Sequence, residues 1–398
     1  MKQIQLIFPD GSQKSFREGI TAKEVVEGIG AGLAKAALAA ELDEKKIDLT
    51  TTLTKGGKFR IITWKDKEGK DVFRHSSAHL MAQAVMRLYP DARLTIGPVV
   101  EEGFYYDIDH APFSPADLQK IEQEMYKLVK EDITIKREEL SKKEALKLFN
   151  GNEFKEEMIK GLEDEAISIY RQAEFADLCR GPHLPSTGMI KAFKLIKVAG
   201  AYWRGDAKNK QLQRIYGISF PDKKYLKEHL TMLEEAEKRD HRKLGLKMDL
   251  FSFHEEAPGI VFFHPRGMVI RNELINYWKE EHRKDGYVEV QTPLILSKEL
   301  WLRSGHWDHY RENMYFTSID GVENAVKPMN CPGGMLIYRT RKHSYKELPM
   351  RVSELGLVHR HELSGVLSGL FRVRAFTQDD AHIYMTPEQI KDEVIGVI

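Results

Sequence analysis

Only two cysteines occur in 398 residues, Cys179 and Cys331. Thiols so few and so far apart exclude a disulfide scaffold and point to a reducing cytoplasm, so the expected location is cytoplasmic and any role they have is as ligands or site residues. Net charge is also missing. The 61 Lys and Arg residues offset 60 Asp and Glu, for a formal +1, so nucleic-acid contact would have to come from local basic patches. No long apolar run is present: the greasiest stretch, Ala31 to Leu42, is interrupted by Lys35 and is too short to span a bilayer. The opening MKQIQLIFPDG has neither an apolar h-region nor a small-residue cleavage site, which argues against a secretory signal and against membrane attachment. Internal repeats and low-complexity segments are absent as well. What remains is ordinary for a globular chain, 42% apolar and 30% charged, with length for roughly two to four domains.

Residues 1–63 read as a small unit. Ile4, Leu6 and Phe8 alternate with polar neighbours, Asp10-Gly11 offers a hairpin turn, and a second short strand follows. Thr21-Ala-Lys-Glu24 is a capping box opening a helix that carries Val25 and Val26, and Lys55-Gly56-Gly57 turns into a strand from Phe59 to Thr63. This order predicts a β-grasp, ubiquitin-like domain with no cluster of titratable groups. Over 64–240 the pattern becomes α+β. A helix from His75 to about Tyr89 precedes Ile96-Gly-Pro98 and the aromatic segment Gly103-Phe-Tyr-Tyr106, with charge-rich helical stretches near Ala116–Glu131 and Lys142–Gly161. From about Asp222 to Leu246 the chain reads as one long connecting helix with a solvated, charged face. Over 241–398, Pro265-Arg-Gly-Met268 opens an amphipathic helix bearing Val269, Leu274, Ile275 and Trp278, which ends at Asp285-Gly286. A strand from Tyr287 to Val290 then runs into Thr292-Pro293.

Two constellations carry chemistry. His75 and His79 stand four residues apart, on one face of a helix start. Such spacing is common and means little alone. With Cys179-Arg-Gly-Pro-His183 it becomes a four-ligand set that zinc would accept. It is equally a set of groups able to position and activate a water for ester hydrolysis. The segments HSSAHLMAQAV and DLCRGPH resemble the proofreading domain of threonyl- and alanyl-tRNA synthetases. The resemblance implies hydrolytic editing of mischarged seryl-tRNA(Thr) by His75, His79, Cys179 and His183, with Asp177, Lys155 and Tyr106 as further members. It favours water-based chemistry here, zinc being the alternative.

The second constellation is Arg360-His-Glu362, a Gly- and Ser-containing loop, then Arg372-Val-Arg-Ala-Phe376. Two strands joined by that loop would present Arg360 and Arg372 to a triphosphate, Phe376 to a purine face, and Glu362 to an exocyclic amine. The spacing resembles motif 2 of the class II aminoacyl-tRNA synthetases, whose core is an antiparallel sheet, and the long helix with its strand resembles motif 1, a dimer element. Lys327-Pro-Met-Asn-Cys331-Pro-Gly and Thr377-Gln-Asp-Asp-Ala-His382 narrow the resemblance to the threonyl-tRNA synthetases. It implies a threonine–tRNA ligase that takes threonine, ATP with Mg²⁺ and tRNA(Thr), a homodimer when full length. It also implies Cys331 and His382 as two of three zinc ligands, with Gln378 and Asp380 beside the threonine. A hydroxyl-binding metal site rejects valine by ~10⁴–10⁵, whereas serine is only one methyl smaller, worth roughly 1–3 kcal/mol. Zinc therefore excludes valine and leaks serine, which is why one chain needs both constellations.

Two departures stand out. Gly334 occupies a position where the family usually has His. Thr386-Pro-Glu-Gln389 signals a new helix near Ile398, and a full-length relative continues with motif 3, the third zinc ligand and an anticodon-binding domain. A truncated chain of this kind is expected to lack full aminoacylation. A free-standing seryl-tRNA deacylase with a vestigial synthetase core, or a non-catalytic tRNA-binding protein, are the other expectations.

Overall fold

The computed structural model describes residues 2–164 and 166–398. It divides into two compact units, Met1–Leu233 and Glu234–Ile398. No helix among the described residues is long and apolar enough to cross a membrane.

The first unit begins with β1 (Gln3–Ile7), in which Ile4 and Leu6 are buried and their neighbours exposed. It pairs antiparallel with β2 (Gln13–Arg17). The Thr21 capping box forms and opens α1 (Ala22–Glu27). After α2 (Ala31–Ala36) come β3 (Ala37–Leu42), β4 (Lys45–Ile47) and β5 (Gly57–Thr63). The sheet order is β2-β1-β5-β3-β4, with β1 and β5 parallel. Leu6, Val25, Val26 and Phe59 fill its core, and the domain is the expected β-grasp.

Next comes α3 (Lys67–Leu88), which starts well before His75. Its first turns are polar, so hydrophobic periodicity marks only the part from Val72 onward. The true start is set by Asp66, whose Oδ2 accepts from the Thr63 N–H at 2.7 Å. Gly69 then lets the helix touch the end of β5, since a Cβ there would stand 1.8 Å from the Thr63 carbonyl oxygen. The two histidines thus sit in the middle of a buried helix rather than at its fraying end. The helix packs on a sheet built from β6 (Gly103–Asp109) and two later strands, with α4 (Pro115–Glu131) beside it. Phe73, Leu80, Met81, Phe104, Tyr106 and Phe193 form the shared core.

β7 (Ile135–Ser141) leads into α5 (Lys142–Leu148) and α6 (Glu153–Gly161). These replace a continuous helix because Gly151 adopts φ +88° and Asn152 caps the second piece. β8 (Ala166–Gln172) and β9 (Phe175–Leu178) join β7 in an antiparallel sheet. β10 (Ala192–Tyr202) and β11 (Gln211–Phe220) complete the larger sheet. The charged stretch after Asp222 is likewise two helices, α7 (Lys223–Lys238) and α8 (His241–Lys247). Asp240 ends the first by capping the second, its carboxylate accepting from the Arg242 N–H at 2.9 Å.

In the second unit, α9 (Pro265–Lys284) is followed by β12 (Val288–Glu289), β13 (Ile295–Ser297) and α10 (Lys298–Arg303). β14 (Tyr315–Ile319) and β15 (Val322–Val326) pair with β13, and Trp301 is fully buried beneath them. Then come α11 (Cys331–Tyr338) and the long hairpin of β16 (Met350–His359) and β17 (Ala375–Tyr384), antiparallel over ten residue pairs. β12 adds to β16 in parallel. A capping box at Thr386 precedes α12 (Ile390–Val397).

Candidate functional site

α3 carries His75 and His79 one turn apart, their ring centroids separated by 4.8 Å. β9 ends at Leu178, and the loop after it returns Cys179 and His183 to the same point. The His75 Nε2 lies 2.8 Å from the Cys179 Sγ, and that sulfur lies 3.2 Å from the His183 Nε2. One donor atom from each of the four residues falls within 4.8 Å of the others. His75, His79 and Cys179 line a cavity of about 530 Å³, with His183 buried behind them.

The partners of His183 settle its tautomer. Ser76 Oγ accepts from the Leu184 N–H at 3.0 Å and, as a helix hydroxyl, donates back to the Val72 carbonyl at 2.9 Å. With its one proton spent, it accepts from His183 Nδ1 at 3.1 Å. His183 Nε2 is left with a lone pair toward Cys179. The His79 Nδ1 is buried with no hydrogen-bond partner among the described residues, and its Nε2 lies 3.5 Å from Asp177.

Asp177 organises the wall. Its Oδ1 accepts from the Lys155 ammonium and its Oδ2 from the Tyr106 hydroxyl, and Lys155 also reaches that hydroxyl at 3.3 Å. All three side chains are buried. Burial holds His75 below the ordinary imidazole value and His79 and His183 well below it. Burial also pushes the Cys179 thiol up to about 12. At neutral pH the cluster is therefore three neutral imidazoles and a protonated thiol, beside one internally balanced ion pair.

Sequence reading missed the support from the N-terminal domain. Asp48, buried, accepts from the His183 backbone N–H at 2.7 Å and from the Tyr170 hydroxyl at 2.8 Å. Nothing local in the sequence marks it, because its partners lie 135 and 122 residues away. Asp48→Ala is expected to cost roughly 1–3 kcal/mol, since a buried N–H and a phenol lose their acceptor. Melting curves check it, and an unchanged melting temperature would show that Asp48 does not hold the His183 loop.

The second site lies on β17. Phe376, Gln378, Asp380 and His382 alternate along one face of it. The other face holds α9: Thr377 Oγ1 accepts from Arg271 at 3.2 Å, and Asp379 accepts from the Trp278 indole. Cys331, the first residue of α11, comes together with Asp380 and His382, donor atoms within 4.8 Å of one another. Next to it, Asn330 Nδ2 donates to Asp380 at 3.0 Å. Burial, with Asp380 nearby, raises the Cys331 thiol.

Arg360 and Arg372 stand just beyond the two strand ends. The Arg360 guanidinium lies 5.2 Å from the Phe376 ring centroid, and its Nε donates to the Pro328 carbonyl at 3.1 Å. Arg372 donates to Glu362 at 2.9 and 3.1 Å, so two residues expected to meet different parts of a nucleotide here meet each other. Arg374, not singled out in sequence, ties the loop down through the Glu362 and Pro258 carbonyls. Lys327, which the sequence marked only as the start of a motif, is buried against Glu354 and Thr292. A Cβ at Gly334 would make only ordinary contacts, 3.7 Å from His382 Nδ1, so the backbone there tolerates a side chain beside that ring.

Gly356, paired with Gln378, has no such room. A Cβ there would stand 2.1 Å from Asn330 Nδ2. Gly356→Ala should displace Asn330 from Asp380 and weaken whatever metal affinity the Cys331, Asp380 and His382 group shows in a titration by about tenfold, as loss of an outer partner typically does; equal affinity would show that Asn330 orders nothing.

Comparison with known proteins finds three matched stretches of the chain. Residues 4–63 match the TGS domain, and residues 167–216 match the threonyl and alanyl tRNA synthetase second additional domain. Residues 315–398 match the class II tRNA synthetase core domain of the G, H, P, S and T types. A threonine–tRNA ligase of Carboxydothermus hydrogenoformans is 61% identical over 99% of this chain and 63% of its own length. Those of Desulforapulum autotrophicum and Acetivibrio thermocellus are each 58% identical over 99% of this chain and 62% and 63% of theirs. The chain belongs to the threonyl-tRNA synthetase family. It spans about 63% of the length of the C. hydrogenoformans relative. Cys179, His183 and Asp177 fall inside the matched second additional domain, whereas His75 and His79 precede it, brought in by α3. Cys331, Arg360, Arg372 and His382 fall inside the class II core.

Proposed function

We propose that the first site hydrolyses seryl-tRNA(Thr). The reading rests on one observation: neutral histidines from α3 and the Cys179–His183 loop, 104 residues apart at the His75–Cys179 contact, converge on a cavity wide enough for an aminoacylated nucleoside. A neutral imidazole of the cluster takes the proton of a water that attacks the ester carbonyl carbon. The bond to the ribose oxygen breaks, that oxygen takes the proton, and serine leaves. Lys155, held by Asp177 and Tyr106, supplies fixed positive charge near the developing oxyanion.

The donor set also fits zinc. Three imidazoles and a thiol make an acceptable tetrahedral shell, and the unpartnered His79 Nδ1 is a nitrogen free to ligate. Bound there, zinc would supply Lewis acidity and a more acidic water. Deacylation of seryl-tRNA(Thr) against threonyl-tRNA(Thr) tests the hydrolysis, and faster release of threonine than serine would overturn it. In the same preparations we expect no stoichiometric zinc in residues 64–240; tightly bound zinc lost on His79→Ala would replace water with metal.

We further propose that the second site belongs to threonine activation. Cys331 and His382 would hold a zinc that takes the threonine amino and hydroxyl groups, with Gln378 and Asp380 beside it. Asp380 stands within 4.8 Å of both. Arg360, Arg372, Glu362 and Phe376 would meet ATP with its Mg²⁺, Arg372 leaving Glu362 to do so. Threonine would then pass through its adenylate to tRNA(Thr), in a homodimer. ATP–pyrophosphate exchange dependent on threonine tests this; exchange that accepts valine equally would count against a hydroxyl-reading metal.

A further inference from the structure

The cavity over the histidine cluster is lined by two cations that the hydrolytic chemistry leaves unused. Lys46 comes from β4 of the N-terminal domain, and Arg180 follows Cys179 in the loop after β9. Both are exposed. The third cation of the wall, Lys155, is buried and committed to Asp177. No such pair engages Lys46 or Arg180 among the described residues. A further hollow of about 380 Å³ continues past Arg180 toward Ser168 and Arg204, so Arg180 lines both chambers. The carboxylates Glu68 and Asp71 lie on the α3 side of the first cavity.

These features give the cleft a direction. An aminoacylated terminal nucleoside filling the first chamber still carries a phosphodiester that must leave it. Glu68 and Asp71 in the same lining would repel that phosphodiester, as would Asp164 in the second chamber, whereas Lys46 and Arg180 are the lining cations free to hold it. An exposed ammonium and a guanidinium fork are the groups that bind phosphate oxygens in single-stranded nucleic acid. The second chamber lies where the next nucleotide would go.

We propose that Lys46 and Arg180 bind the phosphates of the last two nucleotides of the aminoacylated RNA 3′ end, so that the N-terminal domain is a working part of the hydrolytic site. The proposal rests on the reading of that site as an aminoacyl-ester hydrolase. Lys46→Ala and Arg180→Ala are compared with the unaltered full chain on two substrates, seryl-tRNA and the phosphate-free 2′(3′)-O-seryl-adenosine. On seryl-tRNA each substitution should lower kcat/KM about tenfold through KM, and flatten the log–log salt slope by ~0.7 per lost phosphate contact. On seryl-adenosine the loss should be far smaller. Equal losses on both substrates, or none on seryl-tRNA, would overturn the proposal. Should the unaltered chain hydrolyse neither substrate, the hydrolytic reading fails by itself. Binding of an oligoribonucleotide ending in CCA then decides this one: the double variant Lys46→Glu, Arg180→Glu must weaken it at low salt, and unchanged binding would refute the phosphate contacts.

Discussion

His75→Ala should reduce the single-turnover rate of seryl-tRNA hydrolysis by about 10²–10⁴-fold, the range typical of losing a positioned acid–base group. The side chain is well placed to be that group. It sits in the middle of α3, so its backbone is fixed by helix on both sides, and it touches the Cys179 Sγ at 2.8 Å. Burial lowers its pKa, leaving it able to accept a proton at neutral pH. Alanine is the best helix former, so the helix itself loses nothing. Cys179 keeps its contact with His183 at 3.2 Å and with the Gly181 N–H at 3.2 Å, so the loop should stay in place. Cys179→Ala added to His75→Ala should then cost much less than the sum of the two, because groups acting as one unit lose their function together. A rate within threefold of the unaltered chain, at an unchanged melting temperature, would take His75 out of the chemistry.

The clustered histidines and cysteines were more legible in the sequence than the residues that hold them. His75 and His79 could be paired by helical spacing, and Cys179 with His183 by a compact motif, since each half of the cluster is local. What joins the halves is not local. Ser76 looks like any small helical residue until its hydroxyl is found accepting from His183 Nδ1, and Asp48 lies in a domain with no titratable cluster of its own. In the second unit the two strands and loop joining Arg360 to Arg372 were readable, but the contact of Arg372 with Glu362 was not, because loop conformation decides it. Helix ends were misjudged where polarity hides periodicity, as at Lys67, or where a capping carboxylate interrupts a uniformly charged run, as at Asp240. In both places a short side-chain-to-backbone bond outweighs what composition suggests.

Lys327→Met should be the most damaging single change to the second unit, costing about 3–5 kcal/mol. Lys327 is 2% exposed and Glu354 4%. The Lys327 ammonium donates to Glu354 at 2.9 Å and to the Thr292 hydroxyl at 2.8 Å, while the Thr292 N–H and hydroxyl both donate to the same carboxylate oxygen. Methionine would fill the volume but remove the cation that pairs with this buried carboxylate. An uncompensated buried charge, rather than lost attraction, is what makes such a change expensive. Glu354 pairs with Asp380 across the hairpin, so its displacement also tilts the face that carries Gln378 and His382. The expected readout is a fall of about 6–20 °C in the melting transition of this unit, at 2–4 °C per kcal/mol for its size. Lys327→Met combined with Glu354→Gln should regain much of that loss, because the second change removes the stranded charge. If the single variant melts within about two degrees of the unaltered chain, water reaches Glu354 and the pair is not the buried strut of the substrate face.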